Sequence, residues 1–218
     1  MIVEGAFDAA AVTAAGGGSL IGLAPCGTAL TPHQLATLAG ARATGLEGLV
    51  VGFDDDPSGR HATARTWDLL TPVIAATCAH ARWGTAKDPA ELTARDGADA
   101  VAAAISTSRP LAATVVEQHL SDVDLTTVEG RVWAARRVAA SIIPALDQQT
   151  IDEAGAAYCR ALAQVGQPTE AADAIWLIAH TEALVAHSLG SDHGDRTPSS
   201  GLPELTLRPS VDARPEMN

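Results

Sequence analysis

Short apolar runs alternate with longer segments of helical period through the first hundred residues, and then the short runs stop. Met1–Val3, Ser19–Leu23, Leu49–Phe53 and Val73–Thr77 read as strands. Between them, helices are expected over Phe7–Ala15, from Thr31 onward, over Pro57–Leu70 and from Asp88 to Arg95. Gly16-Gly17-Gly18 reads as a helix stop, because it lacks the lysine and spacing of a phosphate-binding loop. Thr31-Pro32-His33-Gln34 has the form of a capping box, with Thr31 as N-cap and Gln34 reaching back. Strands alternating with helices predict a parallel, layered α/β domain over residues 1–97. From Ala98 only helices are expected: Ala98–Ser106, Pro110–Leu120, Val128–Ile143, Ile151–Val165 and Glu170–Leu189. Val132, Ala135, Val138 and Ile142 recur near a 3.6-residue period and give one apolar face. Trp133 and Trp176 lie in apolar helical runs and are expected in the core. The division is thus an α/β unit at 1–97, an all-α unit at 98–189, and a Ser-, Pro- and Gly-rich tail at 190–218 that is expected to be disordered.

Chemistry concentrates at the end of the central strand, in Leu49-Val50-Val51-Gly52-Phe53-Asp54-Asp55-Asp56-Pro57-Ser58-Gly59-Arg60. Side chains alternate along an extended segment, so Asp54 and Asp56 point one way and Asp55 the other. Two carboxylates on one face repel each other unless a cation sits between them. All-oxygen donors suit Mg²⁺ or Mn²⁺. Glu4 ends the first apolar run, and parallel pairing would bring it to the same C-terminal sheet edge, where α/β folds place their sites. Asp56-Pro57 is also a good helix start, with Asp56 as N-cap. Metal binding and capping are compatible.

Four segments in order resemble the TOPRIM domain of bacterial DnaG-type primases: Ile2-Val3-Glu4-Gly5-Ala6-Phe7-Asp8, Cys26-Gly27-Thr28-Ala29-Leu30-Thr31, Phe53 to Arg60, and Lys87-Asp88-Pro89-Ala90-Glu91-Leu92. Arg109-Pro110-Leu111, Thr127 to Arg131 and the run from Ile142 to Ala163 resemble the helical segment that follows it, so the resemblance extends to about Val185. It implies a template-directed nucleotidyltransferase that joins ribonucleotides into RNA primers on single-stranded DNA. Glu4, Asp54 and Asp56 match the catalytic and metal-holding acids, and Asp8 and Asp88 match further acids of the metal face. Gly5, Gly27, Thr28, Gly59, Arg60 and Lys87 match substrate-contacting positions. Two or more divalent ions are implied, one activating the attacking 3′-hydroxyl and one neutralising the leaving pyrophosphate. Ribonucleoside triphosphates and a DNA template are the implied substrates. Two features depart from the family. Ala90 stands where a second acid is common. Met1 lies three residues before Glu4, whereas the family carries an upstream zinc-binding module and a basic subdomain. A partner that supplies such a module, or a replicative helicase, is therefore expected.

The formal net charge of −12 argues against autonomous gripping of a phosphate backbone. Arg131, Arg136 and Arg137 form the only dense basic patch, read either as a solvated face or as a template contact. Arg60 reads either as a phosphate contact or as an ion pair with Asp55 or Asp56. Cys26, Cys78 and Cys159 have no paired spacing, which excludes a zinc site in this chain and suggests small core residues. With neither a signal peptide nor an apolar run long enough to span a membrane, a cytoplasmic location without membrane contact is expected. Two other classes remain: a TOPRIM nuclease or strand-passage enzyme, disfavoured because the sole tyrosine, Tyr158, sits in an apolar helix, and a non-catalytic metal- or nucleotide-binding module.

Overall fold

Ile2 is the residue on which the sheet is centred. In the computed structural model, which describes residues 1–25, 30–41, 45, 47–70, 78–145 and 147–192, it bridges Leu23 on one side and Val51 on the other, both in parallel. The Ile2 amide donates to the Val50 carbonyl at 2.8 Å, and Gly52 donates back to the Ile2 carbonyl at 2.9 Å. Strand β1 (Leu49–Val51) pairs in parallel with β2 (Cys78–His80), with Val51 opposite His80. A two-residue strand, β3 (Arg109–Pro110), closes the other edge antiparallel to β2. The parallel, layered α/β expectation therefore holds, with an antiparallel edge that the sequence pattern did not announce. The expected strand at Val73–Thr77 lies outside the described residues, and the strand that pairs with β1 is Cys78–His80.

Side chains alternate between two cores. Ile2, Leu49, Val51 and Cys78 face one way, toward helices α2 (Pro32–Ala41), α3 (Pro57–Leu69) and α6 (Leu111–Ser121). Met1, Val3 and Trp83 face the other, toward Val12 of α1 (Ala6–Ala15), Leu92 of α4 (Pro89–Asp96) and Val101 of α5 (Ala98–Ser106). This period-2 partition is what covers both faces of a largely parallel sheet. The Thr31 capping box forms as expected: Gln34 N–H donates to Thr31 Oγ1 at 3.2 Å and Thr31 N–H to Gln34 Oε1 at 2.9 Å.

The first core continues without a break into the helices that follow. There α6 packs on α8 (Gln148–Gln164), and α7 (Val128–Ile142) packs on α9 (Thr169–Asp192). Tyr158 is fully buried, and its hydroxyl donates to the Arg131 carbonyl at 3.0 Å. At Gly155 a Cβ would sit 2.4 Å from Trp176 Nε1, so only glycine lets α8 and α9 approach this closely. Trp176 thus packs against the core as expected. Trp133 does not: it is 47 % exposed, one position ahead of the buried Ala134–Ala135 stripe. Its ring instead carries the Arg137 guanidinium 4.9 Å from its centroid. The arginines of this patch tie helices together. Arg131 donates to the Leu125 and Thr126 carbonyls, Arg136 pairs with Glu182 at 2.8 Å, and Arg137 donates to His119 Nδ1 at 3.1 Å. Among the described residues, no helix is long and apolar enough to cross a membrane.

Two predictions follow from this packing. Tyr158→Phe removes the hydroxyl bond that ties α8 to the Arg131 carbonyl and should cost about 1 kcal/mol in urea denaturation. Burial, with Arg137 adding to it, holds His119 down at about 4, so its ring is neutral in the fold at pH 7. The unfolded chain binds this proton near 6.5, so the His119 contribution is present above 6.5 and lost as pH falls from there toward 4. His119→Gln, which keeps an acceptor for Arg137, should flatten the loss of stability between pH 6.5 and 5.

Candidate active site

The loop after β1 turns at once into α3, and this turn places the aspartates. Asp56 accepts the Gly59 amide at 2.9 Å and Pro57 opens the helix, so the capping reading is correct. Gly59 passes so close to the strand end that a Cβ there would meet the Asp54 carbonyl oxygen at 2.0 Å. Asp54 is only 9 % exposed. Its amide donates to Glu4 Oε1 at 3.3 Å, which joins the ends of the first and central strands. Its carboxylate holds the Lys87 ammonium at 2.7 Å. Asp55 points elsewhere and pairs with Arg82 at 3.1 Å, so Arg82 takes the role that the sequence offered to Arg60. Arg60 lies exposed on the first turn of α3.

Charge crowds here. Burial pushes the Glu4 carboxyl above its ordinary value, and the negative charges of Asp54 and Asp56 push it further. The bond from the Asp54 amide and the charge of Lys87 oppose this. The Lys87 ammonium is held above its usual range by its hydrogen bond to Asp54, with Asp88 and Asp56 adding to the effect.

Asp8 and Asp88 sit at the neighbouring helix ends. Asp8 is buried, and its two oxygens accept the Gly5 amide at 3.0 Å and the Ala90 amide at 3.3 Å. It therefore ties the start of α1 to the start of α4, and burial, followed by the charges of Asp88 and Asp54, raises its carboxyl. Asp88 caps α4 by accepting the Glu91 amide at 2.7 Å. Gly5 is the residue before α1. Lys87 is fixed from both sides: its carbonyl accepts the Asp55 amide at 3.3 Å, and its amide donates to Glu91 Oε2 at 2.7 Å. Gly27 and Thr28, with Cys26, lie outside the described residues. Cys78 is buried and pushed up to about 12, which suits a core residue and not a nucleophile.

The donors fit a hard divalent cation by type, because all are carboxylate oxygens, and by the negative charge they gather at one edge. Among the described residues no three His, Cys, Asp or Glu side chains converge closely enough to hold an ion as they stand, and Asp54 has Lys87 as its cation. The sequence missed the Asp54–Lys87 and Asp55–Arg82 pairs and the bracing role of Asp8. Alternation beyond β2 places Arg82 at the strand end and is the one signal that pointed to its pairing.

Residues 1–93 match the Toprim-like family model. No curated protein matches the chain. The fold is that of DnaG primase catalytic cores. A structure of the DnaG catalytic core superposes with a TM-score of 0.59 at 22 % identity, over 75 % of this chain and 52 % of that one. The RNA polymerase domain of Mycobacterium tuberculosis primase DnaG, in complex with a double-stranded DNA oligomer with a 6-nucleotide overhang, gives 0.53 at 29 % identity, over 76 % and 51 %. A DNA primase domain from Pseudomonas aeruginosa gives 0.58 at 22 % identity, over 81 % and 53 %. The chain spans about half the length of these structures. It thus resembles the TOPRIM catalytic domain of DnaG-type primases together with the helical segment that follows.

Adding a methyl group at Gly59 forces the Asp54 backbone to move. Gly59→Ala should lower stability by about 1–3 kcal/mol in denaturant titration. Asp8→Ala leaves two amides at the helix starts without an acceptor and should cost about as much, read in the same way.

Proposed function

We propose that this chain is the metal-holding part of a DNA primase-like nucleotidyltransferase, with residues 1–97 as its TOPRIM unit and 98–189 as its helical unit. The observation that carries this reading is the meeting of Glu4 and Asp54 at one sheet edge, with the charge of Asp56 felt at Glu4, within the fold of primase cores. Glu4, Asp54 and Asp56 are the residues that would hold Mg²⁺ or Mn²⁺, with Asp88 alongside and Asp8 bracing the two helix starts. When bound, such ions stabilise the charge that develops in phosphoryl transfer.

The chain's own residues do the rest. Asp54 has its backbone fixed by the close approach of Gly59 and by the Glu4 bond, and its carboxylate holds the Lys87 ammonium. Glu4, raised by burial and then by the charges of Asp54 and Asp56, is suited to hold or pass a proton at its carboxyl oxygen when a 3′-hydroxyl lies near. Lys87 and Arg60 stand beside the acids as cations for the triphosphate of an incoming ribonucleotide. Gly5, Gly27, Thr28 and Gly59 are further substrate-binding positions in this reading, Gly27 and Thr28 lying outside the described residues.

The Mycobacterium domain, 29 % identical, was solved with DNA carrying a single-stranded overhang, and a single-stranded template is the substrate proposed here. The net charge of −12 leaves little of this surface to grip phosphates. A separate basic or zinc-binding module, or a replicative helicase, is therefore the proposed partner, and the compartment is the cytoplasm.

Primer synthesis on single-stranded DNA tests the reading, with labelled ribonucleotides, Mg²⁺ or Mn²⁺, and an Asp54→Ala, Asp56→Ala control. Metal-dependent RNA products that vanish in the control are expected. Products that persist in the control would assign the activity elsewhere. Asparagine caps a helix about as well as aspartate. Asp56→Asn should therefore melt within a degree or two of the wild type and yet lose metal-dependent synthesis.

A further inference from the structure

The chain has two phenylalanines, and they are used in opposite ways. Phe53, at the end of β1, is 3 % exposed, whereas Phe7 is 86 % exposed. Phe7 stands on the first turn of α1, three residues after Glu4 and next to Asp8. Chain geometry alone keeps its Cα within about 11 Å of the Glu4 Cα. The backbone beneath it is fixed: Asp8 ties Gly5 to Ala90, and Val12, one turn on, is fully buried. A chain with 3 % aromatic residues therefore holds one of them out in water on a fixed helix start a few residues from Glu4.

The electrostatics of the rim restrict what such a ring can receive. The acids repel phosphates, and Lys87 and Arg82 are already paired with Asp54 and Asp55, so charge adds little at this rim beyond the Lys87 and Arg60 contacts proposed for the triphosphate. A nucleobase offers an uncharged π-face, so a ring can hold it without a phosphate contact. Phe7, almost wholly exposed, is open to such a base.

We infer that Phe7 is a stacking platform for one unpaired nucleobase beside the carboxylate site, belonging either to a ribonucleoside triphosphate or to a single DNA strand. This rests on the nucleotidyl-transfer reading above. It names the part of the substrate that this face recognises and a residue that the motif acids leave unassigned. The contact is of ring on base, so its contribution does not depend on salt, unlike every phosphate contact.

The test uses 2-aminopurine, whose fluorescence is quenched on stacking. It is supplied in one arm as the ribonucleoside triphosphate and in the other within a single-stranded oligodeoxynucleotide, both with Mn²⁺ and the full chain. Wild type and Phe7→Tyr should quench the probe in at least one arm, and that arm identifies the source of the base. Phe7→Leu should bind the same probe about tenfold or more weakly. The ratio should be equal at low and high salt, and Mn²⁺ affinity should be unchanged. Equal binding by wild type and Phe7→Leu, loss in Phe7→Tyr as well, or no quenching in either arm would overturn the inference. Primers made by a Phe7→Leu variant with wild-type probe affinity would sink the stacking role and leave the transferase reading standing. Quenching through Phe7 in a chain that makes no primers would do the reverse.

Discussion

Negative charge crowded onto one sheet edge is the constraint around which the rest of this structure is arranged. Glu4 and Asp54 end neighbouring parallel strands and share a hydrogen bond across the gap, with Asp56 one turn away. Left alone, such a cluster would push the strand ends apart. Each acid is instead given a local reason to stay: Asp56 and Asp88 cap helices, Asp8 ties two helix starts, and Asp54 holds Lys87. The Glu4 carboxyl is raised first by its burial and then by the charges of Asp54 and Asp56. A divalent cation would relieve that repulsion better than a lysine can, which is the physical argument behind the metal site proposed above.

The scaffold is suited to holding that edge still. The sheet is covered on both faces, and the core on one face runs on into the α6–α9 helices through Leu111, Val115 and Tyr158. The helical unit therefore braces the sheet from behind. Arg131, Arg136 and Arg137 are committed to carbonyls, to Glu182 and to His119, so this basic patch works within the helical unit of a chain whose formal net charge is −12. The chain spans about half the length of each primase structure it matches.

Much of this was legible in the chain itself. Strand period, the Thr31 and Asp56 caps and the four ordered motifs led to the α/β layer and to the carboxylate edge, because local hydrogen bonds and period-2 burial are written in adjacent residues. The rest depended on tertiary neighbours. The strand at Cys78–His80 is too short and too polar to stand out, and it is defined by pairing with Leu49–Val51. Trp133 fell outside the core because α7 buries its Ala134–Ala135 side, a rotation that local hydrophobicity does not determine. Asp8 was legible as an acid of this face, but not its bonds to two amides, one of them 82 positions away. Such long-range partners are invisible to any window read along the chain.

The claim at the centre of this account is that Glu4 and the Asp54–Asp56 pair make one shared cation site. Mn²⁺ titration followed by electron paramagnetic resonance tests it most directly, on the wild type and on Glu4→Gln. The account predicts saturable binding that Mg²⁺ displaces and that weakens at least tenfold in Glu4→Gln, with the melting temperature held or raised as the repulsion is relieved. Mn²⁺ binding of wild-type strength in Glu4→Gln would contradict it, and would mean that the two strand ends carry their acids for separate reasons.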